Sequence, residues 1–239
     1  MRKSILLCCW LLTPVALLAF HYGPGQLWTA RDDAARHIAQ AAQMELSENW
    51  AGAMAAYGEA LTKLPAADQA ERWKVRIAHA KARMHSGELV EAIGDLDGLL
   101  TEMQKNSASA TLIENVRAEL GTAEYYAAWL MRLEGASTEE WTVEVENARQ
   151  QFRLLAEEKL KTSPAAAKGY QENLEATIRL ARMDMSELQA MPLPKFCQGC
   201  KNVSQKCRSQ CESKAKKPAE KQSKDARGAG TGKRPGGGS

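Results

Sequence analysis

NWAGAMAAYGEALTKLP, residues Asn49–Pro65, and ELVEAIGDLDGLLTEM, residues Glu88–Met103, can be laid over each other. Aligned on Ala53 and Ala92, each segment has a large apolar residue three positions earlier and another four positions later. A second amphipathic segment precedes each copy and also carries an alanine at a close-contact position. A helical hairpin that recurs at a near-fixed spacing is typical of a solenoid, in which each unit buries its apolar face against its neighbours.

The rest of the chain up to Met191 has the same helical character. Apolar residues recur at steps of three and four rather than two, which predicts an all-α fold of about seven helices and no strand. Five sequences predict helix starts through a capping residue or an early proline: Thr29–Asp32, Asn49, Asp68–Glu71, Ser137–Glu140 and Ser163-Pro164. We expect the last helix to end at Met191, before Pro192 and Pro194.

The first two hairpins resemble the tetratricopeptide repeat (TPR) superfamily. That family places a small residue in the first helix, and then alanine, an aromatic residue, alanine and a closing proline in the second. These positions hold Ala41, Ala53, Tyr57, Ala60 and Pro65 in the first copy, and Ala80, Ala92, Leu96 and Leu99 in the second. The copies are 39 residues apart, from Ala53 to Ala92, rather than about 34. The resemblance implies a TPR-like solenoid whose concave groove binds a peptide.

Composition divides the chain into a body and a tail of opposite charge. The predicted organisation is a signal peptide or anchor over 1–22, TPR-like hairpins over 23–105, a long hairpin with a capping helix over 106–191, a Cys-rich segment over 192–213 and a disordered basic Gly-rich tail over 214–239. From Lys195 onward, 12 Lys and Arg face 3 Asp and Glu, whereas residues 1–194 hold 20 Lys and Arg against 26 Asp and Glu. The tail is therefore the part suited to an acidic surface.

The first residues predict targeting to, or anchoring in, a membrane. Arg2 and Lys3 precede the apolar run Ile5–Phe20, which contains no charge. An anchor needs roughly 17–25 apolar residues, and residues 5–22 reach that length. A cleaved signal peptide is the alternative, with Ala19 as the best cleavage position. In both cases the basic residues stay on the cytoplasmic side, so the bulk of the chain is expected on the exported side, or secreted if the leader is removed.

Four cysteines near the tail, Cys197, Cys200, Cys207 and Cys211, lie within 15 residues. Two short Cys pairs suit a zinc site, although six residues between them is a tight spacing. In an exported protein, however, four such cysteines more often form disulfides, and free thiols are a further alternative. Because the two prolines end the last helix, we expect this cluster to lie beyond the helical body and to add nothing to the stability of the body.

Aromatic residues cluster in the third hairpin, and most are expected to pack its core. Tyr125 and Tyr126 are the candidate exceptions. Adjacent residues on a helix point about 100° apart, so one of these two tyrosines is expected to face a protein-binding groove.

No phosphate loop, zinc-protease motif, nucleophile elbow or carboxylate pair occurs in the sequence. The leading hypothesis is therefore a non-catalytic scaffold, tethered to the membrane through residues 5–22, that binds a protein partner in the cell envelope and does not bind nucleic acid. No cofactor is expected apart from zinc at the four cysteines. The alternative is a metal-binding or redox-responsive envelope protein that works through that cluster.

Overall fold

The described part of the chain is built of helices and turns, which confirms the all-α prediction. The computed structural model describes residues 10, 12–15, 18–20, 22–192 and 203–204, and these contain no strand. Eight helices follow one another from residue 24 to residue 190: α1 Pro24–Leu46, α2 Trp50–Lys63, α3 Gln69–His85, α4 Leu89–Lys105, α5 Ala110–Leu133, α6 Thr138–Lys159, α7 Pro164–Arg182 and α8 Met185–Ala190.

Helices α1 to α5 pack as successive antiparallel neighbours, and α3 also contacts α5 directly. Alanines stand where these helices approach: Ala41 and Ala53 are fully buried between α1 and α2, and Ala92 is fully buried in α4. A side chain limited to one methyl group permits close helix packing without displacing the neighbouring backbone. The largest apolar cluster joins α3, α4 and α5, so the core continues across the predicted boundary at residues 105 and 106.

Helix α5 also forms the core of the second half with α6 and α7. Gly121 lies where α5 meets α6, and a Cβ atom added there would lie 3.2 Å from the ring of Phe152. The absence of a side chain therefore brings the two helices close together. On the same helix, Ala128 and Trp129 pack against Leu180 of α7.

Two of the predicted helix starts are confirmed in atomic detail. Asn49 accepts a hydrogen bond from the backbone N–H of Gly52 at 3.1 Å and caps α2. Ser137 and Glu140 form a reciprocal capping box at the start of α6, in which each side chain accepts from the backbone N–H of the other residue. Both pairs satisfy N–H groups that have no partner within the helix.

The capping boxes predicted at Thr29 and at Asp68 are wrong. Helix α1 begins at Pro24, so Thr29 lies inside the helix, and its hydroxyl donates to the carbonyl oxygen of Gly25 at 3.0 Å. Asp68 does precede α3, but its carboxylate accepts two hydrogen bonds from Arg31 of α1, at 2.6 and 2.7 Å. A bidentate pair with a guanidinium is stronger than a bond to one backbone N–H, and it takes the carboxylate away from the helix end.

The last predicted helix is two helices. α7 ends at Arg182, and Asp184 forms a capping box with Glu187 that opens α8. Arg132 of α5 stabilises this break, because its guanidinium donates to the carbonyl oxygens of Leu180 and Met183 at the C-terminal end of α7. Cationic donors at a helix C-terminus satisfy carbonyls that have no partner in the helix.

We expect Ala53→Leu and Ala92→Leu each to destabilise the fold by about 1–3 kcal/mol, because both positions are fully buried and a larger side chain would overpack them. Thermal and denaturant unfolding followed by circular dichroism measures the effect. Ala55→Leu is the matched control, since Ala55 is exposed on the same helix as Ala53. Equal stability of all three variants would contradict the close packing at the aligned alanines.

Candidate functional site

A cleft lies between α3 and α5, the first helices of the second and third hairpins. Its volume is about 250 Å³, and we call it the inner groove. Both helices contribute lining residues, which combine apolar with polar side chains: Lys74, Ile77, Ala78 and Lys81 from α3, and Leu112, Asn115, Ala118 and Glu119 from α5. The groove is open to solvent.

The floor of the inner groove is apolar and its rim is polar. Ile77 and Leu112 are both buried, at 9% and 7% exposure, and so belong largely to the core beneath the groove. Lys81 and Asn115 stand on opposite helices at the rim. Neither makes a hydrogen bond or ion pair with any residue that the structure describes, so both polar groups are available to a ligand.

Glu119, which lines the inner groove, has a pKa that burial and two neighbouring charges affect. Burial raises the pKa of Glu119 above its ordinary value, the positive charge of Lys81 opposes this rise, and the negative charge of Glu45 on α1 adds to it. Lys81 and Glu119 line the inner groove from opposite helices, so the groove has a cationic and an acidic side chain.

Tyr125 and Tyr126 line a second cleft, of about 230 Å³, between α5, α6 and α7. Both rings are half-buried, and they meet edge to face with centroids 5.2 Å apart. Tyr125 also packs with Phe152, and Tyr126 stacks on Trp129. The two tyrosines therefore reach the same cleft instead of pointing to different surfaces, while much of each ring serves the core. Their role in binding a protein stays a prediction.

Glu124 is a buried acid that the sequence reading missed. It lies on α5, the residue is only 5% exposed, and its Oε2 atom has no hydrogen-bond partner among the described residues. Burial, together with the negative charges of Glu144 and Asp97, raises its pKa to about 8. The sequence does contain a signal for this buried acid, because Glu124 lies in an otherwise apolar stripe between Leu120 and Ala127.

Val203 and Ser204, two residues between the cysteine pairs, pack on the helical body. Val203 is 1% exposed and belongs to the core cluster of α3, α4 and α5. The backbone N–H groups of Val203 and Ser204 donate to the two carboxylate oxygens of Glu134, at 3.0 and 2.6 Å. Glu134 is the C-cap residue, directly after the last residue of α5. The expectation that the cysteine-rich segment lies beyond the body is therefore wrong for Val203 and Ser204.

The predicted metal ligands Cys197, Cys200, Cys207 and Cys211 lie outside the described residues. Within the described ranges, no group of three or more His, Cys, Asp or Glu side chains is arranged to hold a metal ion. In the same part of the chain, no helix is both long enough and apolar enough to cross a bilayer. Comparison of the whole chain with known protein families, curated proteins and solved structures finds no match.

We expect Glu124→Gln to remove a pH dependence of stability. The folded-state pKa of Glu124 is raised to about 8, so its contribution is fully present below the unfolded-state value and is lost as the pH rises through the folded value. One proton changes the free energy of unfolding by about 1.4 kcal/mol per pH unit across this window. Denaturant titrations between these two pKa values should therefore show a shallower decline for the variant. Glu91→Gln, at an exposed position, is the control, and identical slopes for all three proteins would contradict the assignment.

We expect Val203→Ala to destabilise the helical body by about 1–3 kcal/mol, because it removes two buried methyl groups from the core. The measurement is chemical unfolding of the full chain, followed by circular dichroism. Val143→Ala is the matched control, since Val143 is 56% exposed on α6. If both variants unfolded like the parent protein, the burial of the Val203 side chain in the core would be of no consequence for stability.

Proposed function

We propose that this chain is a non-catalytic, TPR-like scaffold that binds a protein partner in the inner groove. It is tethered to a membrane through residues 5–22, and its helical body lies on the exported side. The single observation that carries the proposal is the groove itself, which pairs a buried apolar floor with the unengaged polar groups of Lys81 and Asn115.

The hairpin packing supports the likeness to the TPR superfamily. The aligned alanines Ala53 and Ala92 are both fully buried, as are Ala41 and Ala60, and Ala80 is 1% exposed. The first helices of successive hairpins, α3 and α5, are in direct contact. In a solenoid, contacts of this kind between neighbouring repeats form a continuous inner surface. A surface of this kind is suited to an extended partner.

The chemistry of the groove favours a segment with an apolar side chain beside an acidic one. Ile77 and Leu112 offer an apolar floor for the first, and the ammonium group of Lys81 offers a charged donor for the second. The amide of Asn115 can both donate to and accept from the backbone of a bound peptide. Glu119 would disfavour an acidic side chain of the bound segment at its own end of the groove. The segment would therefore bind in one orientation, with its acidic residue at Lys81.

The proposal is non-catalytic because the sequence holds no catalytic motif and the acid with the most strongly raised pKa is not available to a substrate. Glu124 has the largest rise in carboxyl pKa that the structure gives, yet it is 5% exposed. A candidate general acid or base must come within hydrogen-bond reach of its substrate. Glu124 is instead a buried neutral acid in the core of α5.

We expect Lys81→Glu to weaken partner binding about tenfold or more, because it replaces a charge-assisted bond with repulsion. The full chain is purified in detergent from envelope extracts, and co-purifying proteins are quantified by mass spectrometry. Lys168→Glu is the matched control, since it makes the same charge reversal on a side chain that is 78% exposed on α7.

A second variant tests the floor of the groove. Ala78→Arg fills the space between α3 and α5 without removing a charged group, and circular dichroism verifies that each variant is folded. The proposal predicts that some proteins co-purify with the parent protein and with Lys168→Glu but not with either groove variant. Recovery of the same set by all four proteins would place partner binding elsewhere and overturn the proposal.

A further inference from the structure

The uncharged N-terminal run of this chain continues into the first helix of the body. No Asp, Glu, Lys or Arg occurs between Lys3 and Arg31, so residues 4–30 are free of these charges. Helix α1 already begins at Pro24. The first two turns of α1 therefore share the composition of the predicted anchor, although they are covalently part of the body.

Large apolar side chains in these turns are exposed. Leu27 is 50% exposed and Trp28 is 63% exposed, and Phe20 and Tyr22 just before them are exposed by 54% and 72%. The first fully buried residue of α1 comes later, at Ala34. Four large apolar side chains within nine residues, with little of the body to cover them, form a patch that a water-facing helix does not maintain without a partner.

We propose that the first two turns of α1 lie in the interfacial layer of a phospholipid bilayer, with Leu27 toward the acyl chains and the indole of Trp28 among the headgroups. This inference rests on the membrane tether proposed above and extends it into the folded body. Tryptophan and tyrosine concentrate at this layer because each has an apolar ring and one polar group. A lipid surface also explains why the patch continues an uncharged run, whereas a protein partner would not require that continuity.

The length of the run fits this placement. The proposed anchor over residues 5–22 would be about 27 Å long as a helix, close to the roughly 30 Å hydrocarbon core of a bilayer. Because α1 begins at Pro24, directly after Gly23, its first two turns follow the anchor and would lie at the level of the headgroups. Charged residues then begin abruptly with Arg31, Asp32 and Asp33, as expected where the chain enters water.

Lys63 extends this membrane-facing end onto α2. It is exposed at the end of that helix and borders a cleft with Gly25 and Thr29 of α1. Asp33 also lines this cleft, but its carboxylate pairs with Arg36. The ammonium of Lys63 makes no ion pair with any described residue, and at this height it would meet lipid phosphates. The end of the α1–α2 hairpin that holds Lys63 therefore faces the bilayer.

The test reads the depth of individual tryptophans in the full chain reconstituted into phosphatidylcholine vesicles. Vesicles with and without bromine at a shallow acyl-chain position are compared, and bromine quenches nearby indoles. The emission of one residue is the difference between the parent protein and its Trp→Phe variant. Trp28→Phe reports the proposed interface, Trp10→Phe reports insertion of the leader, and Trp50→Phe is the control, because Trp50 stacks on His85 within the body.

We expect the emission of Trp28 to lose most of its intensity on shallow bromination and that of Trp50 to lose almost none. Quenching of Trp10 without quenching of Trp28 would overturn the inference while leaving the tether in place. If neither Trp10 nor Trp28 were quenched, the tether would itself be wrong and the inference would fall with it. Equal quenching of Trp28 and Trp50 would also overturn it, because the whole body would then lie in the membrane.

Discussion

The close packing of α5 against helices on both sides is the constraint on which the rest of the structure depends. Ala123 and Ala127 of this helix are fully buried in the cluster with α3 and α4, and Ala128 is fully buried in the cluster with α6 and α7. Gly121 brings α6 to within contact of the same helix. Because α5 has small residues on several faces, it joins the hairpins of the first half to the bundle of the second. A larger side chain on any of these faces would separate the two halves of the core.

Polar groups near the end of α5 then fix the C-terminal elements on this core. Arg132 binds two carbonyl oxygens at the end of α7 and lies over the ring of Trp141, with its guanidinium carbon 4.8 Å from the ring centroid. Glu134 binds two backbone N–H groups of the tail. Both are charge-assisted contacts to backbone atoms, so they position the partner segment whatever its side chains are. They also explain why α7 ends where it does and why Val203 is buried.

The two proposed surfaces lie at different parts of the hairpin array. The exposed turns of α1 and the end of α2 are the end proposed to meet a bilayer, and the inner groove between α3 and α5 is the site proposed for a protein segment. A scaffold built in this way holds a bound segment at a fixed distance from the membrane. Its rigid spacing comes from the packing of the hairpins rather than from a linker.

The sequence by itself determined the helical period, the paired hairpins and the local caps at Asn49 and Ser137. Each of these depends on residues within one or two turns of each other, so the pattern contains both partners. The spacing of Asp184 and Glu187 had the same local signal and was read as a continuous apolar stripe instead. Among the site residues, the neighbourhood of Tyr125 and Tyr126 could be expected from clustered aromatics, whereas the inner groove required α3 and α5 to be placed side by side.

Only the tertiary structure decided how the long-range polar groups pair. Asp68 binds Arg31, which is 37 positions away, rather than the start of its own helix. Glu134 binds the backbone N–H groups of Val203 and Ser204, which lie 69 and 70 positions further along the chain. The carboxyl group of Glu124 is buried, and its Oε2 atom has no hydrogen-bond partner among the described residues. The physical reason is that a charged side chain binds the strongest available partner, or is desolvated where there is none. The helix packing, which no local pattern specifies, determines which partners are within reach.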